Sequence, residues 1–210
     1  MTVRGRFITL EGTEGVGKST NLEAVVDTLH AAGLPVRATR EPGGTPLAED
    51  IRSLLLDVRD EAVDAKAELL LMFAARAQHV ATVIEPALAA GEWVVCDRFT
   101  DATYAYQGGG RNADIHVIEA LEQIVHPDLQ PDLTLYLDVD TRTARGRIAD
   151  REHDRIERES ERFFERVREA YRARAARYPR FAVIDAGRPL EAVTADVRQV
   201  VAAFVSRSER

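Results

Sequence analysis

The chain has 210 residues, of which 45% are hydrophobic and 30% charged, and its formal net charge is −7. This composition excludes a collagen-like, disulfide-stapled or largely disordered chain and predicts one domain over residues 1–210. The acidic balance argues against a protein that coats duplex nucleic acid. Residues 1–10 lack the apolar core of a secretory signal. The apolar stretches are far shorter than the ~20 residues that cross a bilayer, and Cys96 is alone. We therefore expect a cytoplasmic protein with no membrane or nucleic-acid partner.

Short apolar runs alternate with longer amphipathic runs along the chain. The predicted strands, rich in β-branched or large apolar residues, are 6–11, 36–39, 93–97, 133–138 and 181–184. The predicted helices are 18–32, 47–56, 65–90, 115–125, 159–178 and 190–206. This alternation predicts an α/β fold with a mostly parallel five-stranded sheet flanked by helices. A ligand is then expected beyond the carboxyl ends of the strands.

The first predicted strand leads directly into a glycine-rich loop with the pattern G-x-x-x-x-G-K-[ST]. Its glycines let backbone amides point at phosphate oxygens, and the following helix adds the positive end of its dipole. Lys18 is expected to bridge the β- and γ-phosphates of ATP, and the Ser19 hydroxyl to ligate Mg²⁺. The predicted ATP-binding residues are Gly12, Thr13, Glu14, Gly15, Val16, Gly17, Lys18, Ser19 and Thr20.

The phosphate loop alone leaves GTPases, motors, transporter ATPases and small-molecule kinases open. An N-K-x-D motif, which reads guanine, is absent from the sequence and this disfavours a GTPase. The chain is also short for a motor. The receiver of the phosphoryl group has to be inferred from other motifs.

Two further strand ends carry charged residues. Asp97 and Arg98 follow the apolar run 93–96, where Asp97 could orient a magnesium-bound water and Arg98 could bind the acceptor's phosphate. A simple ion pair at a strand end would show the same two residues. Residues 40–45, Arg-Glu-Pro-Gly-Gly-Thr, follow the second strand, and Glu41 could brace an arginine. An ordinary loop has a similar composition.

Taken together and in order, these motifs resemble the thymidylate kinase family. The resemblance rests on residues 12–20, 40–45, 97–98, 104–111, 131–138 and 154–157, and it spans nearly the whole chain. It implies a P-loop nucleoside-monophosphate-kinase fold with a short lid at about residues 143–158. It also implies transfer of the γ-phosphoryl group of ATP to dTMP with Mg²⁺, giving dTDP and ADP, by a cytosolic homodimer. We expect the helix 65–90 to form the dimer interface.

The resemblance implies roles around the acceptor nucleotide. Arg52 and Arg98 match positions that hold the monophosphate, Arg76 matches a donor to a thymine carbonyl, and Gln107 an amide that reads the base edge. Tyr106 matches a tyrosine that leaves no room for a 2′-hydroxyl. The whole set implied for dTMP is Glu14, Glu41, Pro42, Arg52, Met72, Phe73, Arg76, Arg98, Thr103, Tyr106 and Gln107, and the set implied for the metal is Ser19, Glu14 and Asp97.

One position departs from the family pattern. The family usually has an aromatic residue four positions before the base-binding arginine, and this chain has Met72 there, with Phe73 next. Residues three and four apart share a helix face, so either side chain could approach a base held by Arg76. Registration favours Met72, whereas Phe73 offers the better stacking surface.

An arginine-rich segment follows the fourth strand. Arg147, Arg151, Arg155 and Arg158 are four, four and three apart, so a helix would place them on one face. A solvent-exposed helix with paired carboxylates would show the same pattern. Phosphoryl transfer needs positive charge around the transferred group, and the resemblance is to a bacterial subgroup that supplies it from a mobile lid. The predicted catalytic residues are Lys18, Arg98, Arg151 and Arg155.

Two other readings stay open at this stage. The first is a kinase for another deoxynucleotide or for a deoxynucleoside, although a bare nucleoside would give Arg52 and Arg98 no phosphate to bind. The second is a binding or regulatory module that uses ATP only as a conformational signal.

The resemblance also implies that residues 185–190 pack around adenine. The five histidines show no zinc-ligand spacing.

Overall fold

A five-stranded sheet runs through the centre of the computed structural model, which describes residues 4–150 and 152–208. The strands are β1 (Phe7–Glu11), β2 (Val36–Arg40), β3 (Trp93–Asp97), β4 (Leu133–Asp138) and β5 (Phe181–Asp185). All neighbours are parallel, in the order β2-β3-β1-β4-β5. The predicted parallel five-stranded sheet is confirmed, with each strand within one residue of its expected bounds.

Helices cover both faces of the sheet. They are α1 (Lys18–Ala31), α2 (Pro46–Leu56), α3 (Ala65–His79), α4 (Glu85–Ala89), α5 (Thr100–Thr103), α6 (Ile115–Val125), α7 (Thr141–Gly146), α8 (Glu161–Arg177) and α9 (Leu190–Ser208). Side-chain caps begin several of them. The Thr45 hydroxyl accepts from the Ala48 amide before α2, and the Ser160 hydroxyl accepts from the Phe163 amide before α8.

The alternation of side chains along β1 divides the core. Ile8 and Leu10 point toward α1 and α9, where they pack with Val25 and Val197. Phe7 points to the opposite face and packs against the helical segment that precedes β3. By the same alternation Glu11 belongs to the face of Phe7. The last residue of β1 therefore places a carboxylate, fully buried, under the carboxyl edge of the sheet.

The predicted single helix 65–90 is wrong in its middle. A π-helical segment, Val80–Ile84, separates α3 from α4. Pro86 lies in the first turn of α4 and has no N–H to donate to the preceding turn, so a wider turn accommodates its ring. A second π-helical segment, Tyr104–Gly110, follows α5. Sequence patterning predicted neither α5 nor α7, because both are too short to show a helical period.

The run Ala65–Ala89 is long and apolar enough, by length and composition alone, to cross a membrane. However, 44% of its most apolar window is buried inside the fold. It also carries Glu68, Arg76 and His79, all of them buried. Because ionisable residues are rare inside membrane-spanning helices, these three side chains favour a core helix over a membrane span.

The arginine-rich segment does not form the predicted helix among its described residues. After α7 the chain makes turns at residues 147–150 and 155–158, and residues 152–154 are irregular. The Asp154 carboxylate accepts hydrogen bonds from the amides of Ile156 and Glu157, each at 2.8 Å. Such a local side-chain turn competes with helical pairing of the same amides. Arg151 lies outside the described residues.

Candidate active site

The carboxyl ends of β1, β2 and β3 border an open cavity of about 610 Å³. Of the eleven residues predicted for dTMP, ten line it: Glu14, Glu41, Pro42, Arg52, Met72, Arg76, Arg98, Thr103, Tyr106 and Gln107. Leu56, Phe99, Ala102, Asp154 and Ile156 complete the lining. Segments that are distant in the sequence thus meet at one edge of the sheet.

The phosphate loop lies beside this cavity and leads into α1. The Lys18 ammonium turns back to the loop's own carbonyls, at 2.9 Å from Thr13 O and 3.3 Å from Gly12 O. Burial, together with the nearby Arg98 guanidinium, lowers the pKa of Lys18. Gly15 has φ +79°, and a Cβ added to it would lie 2.2 Å from Ala144 O. No side chain fits at residue 15 while α7 rests on the loop.

Arg98 joins the donor loop to the acceptor cavity. Its Nη2 donates to Glu14 Oε1 at 2.6 Å, and its guanidinium lies 4.8 Å from the centre of the Tyr106 ring. The Tyr106 hydroxyl donates to the same Glu14 carboxylate at 2.8 Å. Burial alone would raise the pKa of Glu14, but the charges of Arg98 and Lys18 outweigh it and lower the pKa. Glu14 is therefore ionised and holds Arg98 against the cavity wall.

A buried layer beneath Arg98 connects it to α8. The Tyr171 hydroxyl donates to Glu11 Oε2 at 2.7 Å and accepts from Arg98 Nη1 at 3.2 Å. Glu11 Oε1 accepts from the Phe99 amide at 2.8 Å. Burial, reinforced by the charge of Asp101, raises the pKa of Glu11 to about 8. Tyr171 therefore bridges the guanidinium above it and a carboxyl group that is protonated at neutral pH.

Helix α8 makes further ionic contacts at this edge. Arg168 donates to Asp138, the last residue of β4, at 2.7 Å. Arg174 donates to the buried Asp101 on α5 at 2.5 Å. Together with Tyr171, these side chains attach one helix to the ends of β1 and β4 and to the segment after β3.

A buried ion pair sits at the far end of the cavity. Arg76 Nε donates to Glu41 Oε2 at 2.7 Å, and Arg76 Nη2 donates to Thr103 Oγ1 at 3.0 Å. Glu41 also pairs with His79 Nδ1 at 3.0 Å. Burial would raise the pKa of Glu41, but the charge of Arg76 and the hydrogen bond of His79 lower it. Within the described residues, buried Arg76 Nη1 has no hydrogen-bond partner, so one donor is left for a ligand.

Glu68 on α3 collects three polar side chains beside the cavity. It accepts from Gln107 Nε2 at 2.9 Å, from Arg155 Nη2 at 2.6 Å, and from both Nε and Nη2 of Arg111 at 3.3 Å. Its side chain is 1% exposed. Burial would raise the pKa of Glu68, but these hydrogen bonds and charges lower it, so the carboxylate is ionised.

The structure separates Met72 from Phe73. Met72 lines the cavity, whereas Phe73 is 2% exposed and packs in the core with Leu69, Tyr104 and Ile118. Strict spacing along α3 therefore identifies the cavity residue, and the expectation that Phe73 also faces the ligand is corrected. Phe73 contacts the site indirectly, since its ring lies 4.9 Å below the Arg76 guanidinium.

The family model described as thymidylate kinase matches residues 10–197. The chain belongs to the thymidylate kinase family. It is similar to the thymidylate kinase of Chromohalobacter salexigens, with 64% identity over 92% of this chain and 93% of the relative. The thymidylate kinases of Teredinibacter turnerae and Bordetella pertussis are 56% and 57% identical, and each match covers 96% of this chain and 99% of the relative.

In this member of the family, Arg147 and Arg155 face two different sites. Arg147 Nη1 donates to Ala186 O at 2.9 Å and to Gly15 O at 3.3 Å, so it lies against the phosphate loop. Arg155 donates to Leu55 O at 2.8 Å as well as to Glu68. Arg155 is thus held beside the acceptor cavity, and its role at the transferred phosphoryl group stays a prediction.

The donors for a metal are few. Asp97 Oδ1 is buried and has no hydrogen-bond partner in residues 4–150 and 152–208, and Ser19 lies exposed in the first turn of α1. Both oxygens of Glu14 accept hydrogen bonds, from Arg98 and from Tyr106, and its role as a metal ligand stays a prediction. The described residues include no cluster of three or more His, Cys, Asp or Glu that could hold an ion. This donor set fits Mg²⁺ bound mainly by phosphates and water.

Glu11, Glu68 and Tyr171 were not identified from the sequence. Glu68 could have been found, because it is four residues before Met72 and eight before Arg76, on the same face of α3. Glu11 precedes the phosphate loop directly, yet a strand-end carboxylate carries no sign of its burial. Tyr171 is 160 residues from Glu11, and only the folded chain brings the two together.

Proposed function

We propose that this enzyme transfers the γ-phosphoryl group of ATP to dTMP, giving dTDP and ADP. The observation that carries the proposal is the pairing of two features in one cavity. Arg98 and Arg52 supply cations next to the phosphate loop, and Arg76 presents a free donor at the far end. A nucleoside monophosphate has the matching polarity, with an anion at one end and a carbonyl-bearing base at the other. Membership of the thymidylate kinase family supports thymine as the base.

The residues around the cavity supply orientation. Arg76 Nη1 would donate to a thymine carbonyl and Gln107 would meet the base edge, with Met72 against the ring. Tyr106 and Glu14 would lie under the sugar. Arg52, whose Nη1 donates to Pro42 O at 2.9 Å, and Arg98 would hold the 5′-phosphate for in-line attack.

ATP would bind through residues 12–20, with Lys18 leaving its loop carbonyls for the β- and γ-phosphates. Residues 185–190 would contact adenine. This segment lies beside the phosphate loop, because a Cβ built on Gly17 would be 3.3 Å from Leu190 Cδ1. Mg²⁺ bound with ATP would neutralise phosphate charge, held by Ser19 and, through water, by Asp97. Arg98 would carry positive charge to the oxygens of the transferred group.

The arginines after α7 would add to this charge stabilisation. Arg147 is adjacent to the phosphate loop in this structure. Arg155 would have to leave Glu68 and Leu55 to reach the transferred group, and Arg151 belongs to the same segment. We propose all three as contributors, with Arg155 acting only when it is released.

The enzyme is proposed to be a cytoplasmic homodimer without membrane or nucleic-acid partners. Helices α3 and α6 pack against each other and carry exposed apolar side chains, among them Leu70, Val117 and Ile124, which are 56%, 48% and 76% exposed. Such side chains are typical of surfaces that pair. Light scattering should report a dimer, and Ile124→Glu should shift it toward the monomer if this face forms the interface.

A coupled assay of ADP production tests the reaction. Turnover should be much faster with dTMP than with dCMP, AMP, GMP or thymidine. Equal use of several monophosphates would reject the proposed acceptor. ATP binding without transfer to any nucleotide would indicate a regulatory module instead.

A further inference from the structure

We infer that Glu68 is a specificity-determining positioning residue, which fixes the orientation of the Gln107 amide and thereby selects thymine over cytosine. The inference rests on the proposed role of Gln107 at the base edge. It concerns a residue that lies behind the cavity wall and does not itself line the cavity.

Chemistry decides which end of the Gln107 amide faces Glu68. An ionised carboxylate can only accept hydrogen bonds, so the group that approaches it at 2.9 Å must be the amide nitrogen. Burial does not neutralise Glu68, because Arg111 and Arg155 donate to it and its pKa is lowered. The amide oxygen of Gln107 is therefore turned away from Glu68, toward the cavity that this residue lines.

An amide oxygen at this position distinguishes the two pyrimidines. Thymine carries a hydrogen on N3, which can donate to that oxygen, whereas N3 of cytosine is an acceptor. Facing acceptors repel and leave both groups unsatisfied in a buried site. Arg76 adds a donor that suits a carbonyl.

The alternative amide orientation becomes accessible if Glu68 loses its charge. In Glu68→Gln an oxygen at the position of Oε2 would accept from Arg155 Nη2, which lies 2.6 Å from Glu68, and from Arg111 Nη2, which lies 3.3 Å from it. Only the 3.3 Å contact of Arg111 Nε with Oε1 would be lost. The new side chain would therefore place its single oxygen at the position of Oε2. Its nitrogen would then face Gln107, whose oxygen would turn to accept from it. The Gln107 nitrogen would face the cavity and would suit N3 of cytosine.

The test compares dTMP with 5-methyl-dCMP, because these two acceptors differ only at the N3 and C4 edge. The ratio of their kcat/KM values should fall about tenfold or more in Glu68→Gln, as expected for reversal of one buried hydrogen bond. Glu122→Gln is the matched control. Glu122 is also a buried carboxylate, accepting from Tyr104 and Gln130 at 2.5 Å, but it lies outside the substrate cavity. Its variant should leave the ratio unchanged.

A double-mutant cycle with Gln107→Leu identifies the route of the effect. In that background Glu68→Gln should no longer change the ratio, because the amide is gone. A full change in that background would overturn the inference. The inference would also be overturned if Gln107→Leu raised the KM for dTMP but Glu68→Gln alone left the ratio unaltered. If Gln107→Leu alone leaves the KM for dTMP unchanged, the base-reading role of Gln107 fails and the inference fails with it.

A second variant covers the case in which Glu68→Gln does not fold. Glu68→Asp keeps a negative charge for Arg111 and Arg155 but withdraws the carboxylate by one methylene from Gln107. The ratio should again fall, by less than in Glu68→Gln. An unchanged ratio in folded Glu68→Asp would overturn the inference.

Discussion

Replacing Glu11 by glutamine should remove a large part of the pH dependence of folding stability. Glutamine keeps the size of the side chain and an oxygen that can accept from the Phe99 amide, while its nitrogen can donate to the Tyr171 hydroxyl. The substitution removes the ionisable group and reverses the hydrogen bond with Tyr171, whose hydroxyl donates to Glu11. Because Glu11 is fully buried, water does not stabilise its charged form, and ionisation is unfavourable in the folded chain.

The direction of this pH dependence follows from which state of the chain, folded or unfolded, binds the Glu11 proton. Burial and the charge of Asp101 raise the pKa of Glu11 from its ordinary value of 4.5 to about 8 in the folded chain. Between these values the folded chain holds a proton that the unfolded chain has lost. This contribution to stability is complete below pH ~4.5 and is lost as the pH rises through about 8. From pH 6 to pH 9 the loss amounts to roughly 3 kcal/mol, because a full slope is about 1.4 kcal/mol per pH unit.

Urea unfolding followed by tryptophan fluorescence measures this change, since the chain has one tryptophan and Trp93 is buried in the core. Protein concentration should be held constant, because a dimer makes stability depend on it. The free energy of unfolding of the unmodified enzyme should decline between pH 6 and pH 9, and that of Glu11→Gln should decline by much less. Parallel curves for the two proteins would refute the assignment of this proton to Glu11.

Four other substitutions, one of them a control, test the phosphate loop and phosphoryl transfer. Lys18→Ala should abolish turnover while circular dichroism shows an intact fold, and retained activity would contradict the phosphate-loop assignment. Gly15→Ala should cost about 1–3 kcal/mol of stability, because its Cβ would lie 2.2 Å from Ala144 O. Thermal melts measure this loss. Gly146→Ala is the control and should be neutral or stabilising, because nothing lies within 4 Å of its added Cβ. Arg155→Ala should lower kcat by up to about 10³-fold if the guanidinium reaches the transferred group. A change under twofold would leave Arg155 as a partner of Glu68 only.

Sequence patterning predicted the sheet well because each strand is a short apolar run with a clear boundary. It also predicted a phosphate loop and a site at Asp97-Arg98, since their chemistry is concentrated in consecutive residues. Patterning failed where a single residue or a local hydrogen bond determines the backbone conformation. Pro86 widens the turn before α4, and the Asp154 carboxylate diverts the chain from the helix that evenly spaced arginines had indicated.

The candidate site could be predicted mainly where side chains face the cavity. The residues behind its wall could not, because their roles depend on partners far away in the sequence. Glu68 is 39 residues from Gln107 and 87 from Arg155. The residues near Glu68 in the sequence give no sign of the distant arginines that keep its carboxylate ionised. The same holds for Glu11, whose partner Tyr171 lies on α8.

The attachments of α8 have a practical consequence for following ligands in solution. One helix touches the end of β1 through Tyr171, the end of β4 through Arg168, and the segment after β3 through Arg174. Occupancy of either nucleotide would therefore be transmitted to a single stretch of backbone. The rates at which amide protons of α8 exchange with deuterated solvent would serve as a built-in gauge of both substrates, without a label on either one.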